Sequence, residues 1–177
     1  MKTIARITTA VLLATTLSLT ASCKGEGGGA EDWSAAALKA QTLTLGGASV
    51  SWSIPDGLSK DDMLSDENSV TMKSTLGAPS VSLKKESIPP STLDSAANTV
   101  GFVFGKGAET LEQREDAGRF VIALADGEKH RLMVAHFIPT KAGMFKCQVS
   151  QSKSGGIPNF DASLAKFHEI CNSVKSE

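Results

Sequence analysis

The sequence predicts an α+β domain on a largely antiparallel sheet with helices packed on its faces. Three observations carry this prediction. "QTLTLGGASVSWSI" alternates apolar and polar residues around a glycine pair, the period of a half-buried strand hairpin. "FVIALA" and "LMVAHFI" are apolar on both strand faces, which requires cover on both sides. "NFDASLAKFHEICNSV" places Phe160, Leu164, Phe167, Cys171 and Val174 at helical spacings of four and three.

Taken in order, the first hairpin puts Val50, Trp52 and Ile54 on one face, and Gly46-Gly47 supplies the positive φ angles of a two-residue turn. A second hairpin pairs "SVTMKS" with "SVSLKKE", with Val70, Met72, Val81 and Leu83 as its apolar side. "IPPSTLDSAANTVGF" opens with prolines and a Ser/Thr cap and continues as a helix, Leu93, Ala97 and Val100 sharing a face. Four strands follow: Glu109 to Asp116, Arg119 to Ala125, Lys129 to Ile138 and Gly143 to Gln151, with Asp126-Gly127 as the turn between the second and third. The closing helix takes its N-cap from Asn159 or Asp161. The order is therefore ββββ, α, ββββ, α, with one helix on each face of the sheet. Together with the "WSIPDG" stretch near its start, this order resembles the PsbP-like fold, a family that includes small bacterial envelope lipoproteins. The resemblance runs from about Gln41 to Ser176 and implies no shared catalytic residues.

The chain ahead of this domain has a different character. Met1 to Arg6 carry Lys2 and Arg6, and Ile7 to Leu19 form an apolar run of about a dozen residues, the layout of an export signal. That run is short of the roughly 20 residues a spanning helix needs, so removal after export is expected. Leu19, Thr20, Ala21 and Ser22 precede Cys23 and resemble the lipobox of bacterial lipoproteins. The resemblance implies cleavage before Cys23, a diacylglycerol on its thiol and acylation of its new amino group. Thr20 stands where the family usually has Leu, Val or Ile, and Thr20 and Ser22 also suit ordinary signal peptidase, which would leave a secreted or periplasmic soluble protein. Residues 23–32 contain four glycines and no large apolar side chain, so they read as a flexible tether. Lys24, where inner-membrane lipoproteins of enteric bacteria typically carry Asp, leans the resemblance towards the outer membrane.

Removing residues 1–22 takes away two cations and no carboxylate, moving the formal charge from −1 to −3. No basic surface argues for nucleic acid. Residues 33–177 suffice for one domain with a real core. With Cys23 set aside, Cys147 and Cys171 remain as a pair in a compartment that permits disulfides. Cys147 shares a strand face with Phe145 and Val149, while Cys171 lies on the stripe of the last helix. The helix must bury that stripe on the adjacent sheet, so a disulfide is expected.

"GFVFGKGAET" has three residues between Gly101 and Gly105 where a phosphate loop has four, and Gly107 where Ser or Thr should bind magnesium, so it reads as a helix-to-strand turn. Asp61, Asp62, Asp66, Glu67 and Asn68 lack the alternating spacing and central glycine of a calcium loop and read as a solvated acidic loop. His130, His136 and His168 form no i, i+4 zinc pair, and His136 alternates with Val134 and Ile138 as a core or edge histidine. No G-x-S-x-G elbow marks a nucleophile. The expectation is a non-catalytic envelope lipoprotein without cofactor or metal, held to the membrane by lipid on Cys23, whose domain engages an envelope protein or supports an assembly. The alternative is a small-molecule- or ion-binding periplasmic lipoprotein.

Overall fold

The computed structural model describes residues 32–74 and 78–176. The expected signal peptide, the expected lipidation site Cys23 and the part of the expected tether before Asp32 lie outside the described residues.

Strand alternation translates directly into the first hairpin, β1 (Leu38–Leu45) and β2 (Ala48–Pro55), with Leu45 opposite Ala48. Gly46 and Gly47 have φ of 53° and 79°, the left-handed pair a two-residue turn demands. Gly46 is also sterically required. A Cβ there would sit in the stem of Lys85, whose ammonium donates to the Gly46 carbonyl at 2.8 Å.

Short β3 (Ser59–Lys60) leads to β4 (Ser69–Lys73) and β5 (Ser80–Lys85), then to helix α1 (Leu93–Phe104). Thr92 caps α1, its hydroxyl accepting from the Ser95 amide at 3.1 Å. Replacing Thr92 with Ala is expected to cost about 1 kcal/mol, read as a lowered urea midpoint at unchanged slope. β6 (Glu109–Asp116), β7 (Arg119–Ala125), β8 (Arg131–Thr140) and β9 (Gly143–Ser152) form a meander, followed by helix α2 (Phe160–Asn172) and β10 (Lys175–Ser176).

Among the described residues all pairings are antiparallel, but the strands build two sheets where the sequence predicts one. Seven strands run in the order β3-β4-β5-β9-β8-β7-β6, and β1, β2 and β10 form a second, smaller sheet. The reason lies in β2. Val50, Trp52 and Ile54 are buried in one core with Val81, Leu83, Phe145 and Val149 of the large sheet, so the hairpin stacks as a layer instead of extending the edge. Among the described residues the architecture is thus sheet-dominated, with two α-helices.

Apolar residues on both faces of β7 and β8 are covered as expected. Phe120, Ile122 and Leu124 of β7 and Met133, Ala135 and Phe137 of β8 meet Ala96, Val100 and Phe104 of α1. Val134 and Ile138 face the opposite core, which Phe167, Ile170 and Cys171 of α2 help close.

Two local expectations are corrected. The β7–β8 connection is a five-residue loop in which Lys129, at φ 56°, is the left-handed residue, and Asp126 accepts from the amides of His130 and Arg131 at 2.8 and 3.0 Å. One side chain satisfying two amides makes the longer loop stable, so Asp126-Gly127 is not a two-residue turn. At α2, Asn159 occupies the N-cap position without capping by its side chain. Its amide is spent on the carboxylate of Asp32, fastening the start of the described chain to the helix.

Candidate functional site

Two neighbouring cross-links join α2 to the large sheet. His136 on β8 stands opposite Cys147 on β9, and His168 and Cys171 are three positions apart on α2, so each helix residue faces one of the strand residues. Cys147 and Cys171 are at disulfide distance, with sulfurs 2.06 Å and α-carbons 5.5 Å apart. Beside them Nε2 of His136 lies 3.0 Å from Nδ1 of His168.

The histidine link continues outward. Nε2 of His168 lies 3.1 Å from Oε2 of Glu112 on β6, and the other oxygen of Glu112 accepts from Arg114. The carboxylate favours the His168 proton on Nε2, which makes Nδ1 the acceptor and His136 Nε2 the donor. Nδ1 of His136 is then a buried lone pair with no hydrogen-bond partner among the described residues.

Burial depresses the basicity of both rings. His136 is pushed down to about 3, first by desolvation and then by the neighbouring His168, Arg119 and Arg114. His168 is also lowered, again mainly by desolvation, with Glu112 pulling it back up and Arg114 adding to the fall. Both rings are therefore neutral around pH 7. Because the two facing nitrogens bind each other, they do not converge on a third point where a metal could sit. The described residues hold no group of three or more His, Cys, Asp or Glu arranged for a metal ion.

A second arrangement lies on the sheet face that α1 leaves open. A cleft of about 450 Å³ is bounded by Lys73, Ser80, Phe104, Arg131, Ser150 and Ser152 among others. Ser80 pairs with Ser150, Ser150 with Met133, and Ser152 with Arg131, so hydroxyls, a thioether and a guanidinium share this face. Arg131 stacks on the Phe104 ring at 4.1 Å from its centroid and donates to the Phe104 carbonyl, supplying a cation to the end of a helix that has no basic residue in its last turn. Lys73 pairs with Asp61.

The other residues singled out in the sequence have local structural roles. Asp61 also accepts from the Met63 amide at 2.9 Å, and the Lys73 bond holds its carboxyl below the usual range. Asp66 accepts from the Asn68 amide at 2.8 Å and from Ser69, which lowers it too. Carboxylates turned towards their own loop do not form a shared ligand set. In "GFVFGKGAET" the Gly105 amide donates to Gly101 at 2.9 Å, and Gly105 and Gly107 have φ of 86° and 80°, as a helix-to-strand turn requires.

The His136–His168 pair is what sequence reasoning missed. The residues are 32 positions apart, and only the meeting of β8 with α2 brings them together. A search against protein-family models and against curated proteins finds no match to this chain.

Proposed function

We propose that the protein is exported, anchored in the bacterial envelope by lipid on Cys23, and acts by binding an envelope partner rather than by catalysis. The observation that carries the reading is the Cys147–Cys171 disulfide, a bond suited to an oxidising compartment, in a domain whose sequence is preceded by an export-type leader and one further cysteine. The histidines support the non-catalytic part: His136, which is buried, and His168, which is partly buried at its edge, bind each other and are held neutral by desolvation, which is a packing role. A PsbP-like fold belongs to the same proposal and is supported by element order.

A second reading has its own observation. The cleft beside Arg131 would suit a small anionic ligand, since its walls combine a guanidinium with serine hydroxyls and apolar atoms.

Metabolic labelling with a clickable palmitate tests the anchor. Wild-type protein should be labelled and sediment with membranes. Cys23→Ser should be unlabelled and soluble, with an unchanged melting temperature because position 23 precedes the domain expected from residue 33 onward. A wild-type protein that is unlabelled and fully soluble would overturn the anchor and leave a secreted protein.

A further inference from the structure

We infer that the end of the domain from which the tether leaves also carries a second membrane contact, a tip formed by the end of α1 and the start of β6 that dips into the lipid headgroup region. The inference rests on the lipid anchor proposed above and adds the surface that faces the bilayer.

The tip is defined by exposure. Phe102 is 90% exposed, Val103 50% and Leu111 44%. They are three of the six large hydrophobic residues left exposed among the described residues. Phe102 lies on the side of α1 away from its buried stripe of Ala96, Val100 and Phe104, so it contributes nothing to the core. Leu111 falls at the irregularity in β6 where Thr110 and Glu112 break register, which turns one residue out of the ladder. Between helix and strand, Lys106 is exposed and is flanked by Gly105 and Gly107. An aromatic ring and two aliphatic side chains beside a lysine suit the interface, where rings sit at headgroup depth and an ammonium reaches lipid phosphates.

What selects a lipid surface over another occupant is where the chain enters the domain. Three successive contacts lead from Asp32 to the tip. Asp32 accepts from Asn159; the Ile157 amide donates to the Lys129 carbonyl at 3.0 Å; and Arg131, two residues further on, donates to Phe104 at the end of α1. Ser74 borders both the cleft at Asp32 and the cleft at Phe104, which places the same two features at one end. The nine residue steps from Cys23 to Asp32 span at most about 30 Å. A domain tethered that closely by this end holds the tip near the bilayer at high effective concentration, so a weak contact suffices to orient it.

The test uses the lipidated mature protein in phosphatidylethanolamine/phosphatidylglycerol vesicles. Flotation reads the anchor by itself. A Phe102→Trp variant then reports depth by quenching with brominated lipids, against a wild-type baseline from Trp33 and Trp52, which are 7% and 1% exposed. Protein that floats should have the added emission quenched by about half, as expected for a group seated ~5–10 Å into the headgroup boundary. Floating protein whose added tryptophan is unquenched would overturn the tip and spare the anchor, while protein that fails to float would overturn the anchor. A photocrosslinker at position 102 that captures an envelope protein in cells, with no lipid adduct, would also overturn the tip. Melting temperatures of these variants should match wild type, because the position makes no core contact.

Discussion

Lowering the pH from 7 to 4.5 should destabilise the folded domain by roughly 2 to 3 kcal/mol through His136, a large share of the stability a domain of this size has. The sign follows from the direction of the shift. In the folded protein His136 titrates at about 3, whereas the unfolded ring titrates near its ordinary 6.5. Between those values the unfolded chain holds a proton at this site that the folded chain refuses. The contribution is therefore complete above about pH 6.5 and is lost as the pH falls towards 3, at about 1.4 kcal/mol per unit. His168 is lowered as well and acts in the same sense. The groups around the pair are Glu112 and Arg114 on β6 and Arg119 on β7, whose guanidinium donates to Asn172 of α2 at 2.8 Å. The two arginines oppose a proton on His136. Asp32, Asp61 and Asp66, with lowered carboxyl values, lose their contribution at still lower pH and stay out of this window. Urea midpoints at pH 7, 6, 5 and 4.5 measure the effect. In His136→Gln, whose amide still donates to His168 Nδ1, the slope should fall by close to one proton; an unchanged slope would reject the assignment to His136.

Why this pair was invisible in the sequence, while the disulfide was legible, comes down to what each residue type advertises. With Cys23 set aside for the expected lipid anchor, Cys147 and Cys171 have only each other, and both sit on apolar stripes whose burial forces them together. A histidine among apolar residues carries no such arithmetic, because it can be satisfied by backbone, water or a carboxylate. His136 is legible as a core or edge histidine, and nothing in its surroundings points to α2. The meander, both hairpins and both helices were legible because alternation and helical spacing report burial directly, as at Val50, Trp52 and Ile54 or at Phe167 and Cys171. The split into two sheets was not. Period-two alternation states that one face is buried and is silent on whether its cover is a helix or another sheet.

Breaking the Cys147–Cys171 bond should cost about 3 kcal/mol, since the crosslink closes a loop of 24 residues and the chain-entropy model assigns the unfolded state that much restriction. For a domain of this length the loss corresponds to a fall in melting temperature of roughly 10 °C, measured on the Cys147→Ala/Cys171→Ala variant or on the protein reduced by a strong dithiol. Alkylation in denaturant without reductant checks the premise: protein recovered from the periplasm should leave both thiols unmodified, and modification of both would reject the bond. The location of the bond adds a second, sharper expectation. The disulfide and the His136–His168 contact are adjacent links between the same strand pair and the same helix, so each holds α2 where the other needs it. Once the disulfide is gone, fixing α2 against β8 must be sustained by packing and the imidazole contact alone, and water gains access to both rings as the helix loosens. Desolvation is the main cause of the depressed basicity of both rings, so their titration should move back towards 6.5. The reduced protein should then be less stable at pH 7 and also less sensitive to acid between pH 7 and 4.5. A double-mutant cycle between the Cys147→Ala/Cys171→Ala change and His136→Gln should give a coupling of 0.5 kcal/mol or more, on the order expected for residues sharing one contact network. Additive effects in that cycle, together with an unchanged pH slope, would mean that the two links act independently and that α2 is positioned by its apolar stripe alone.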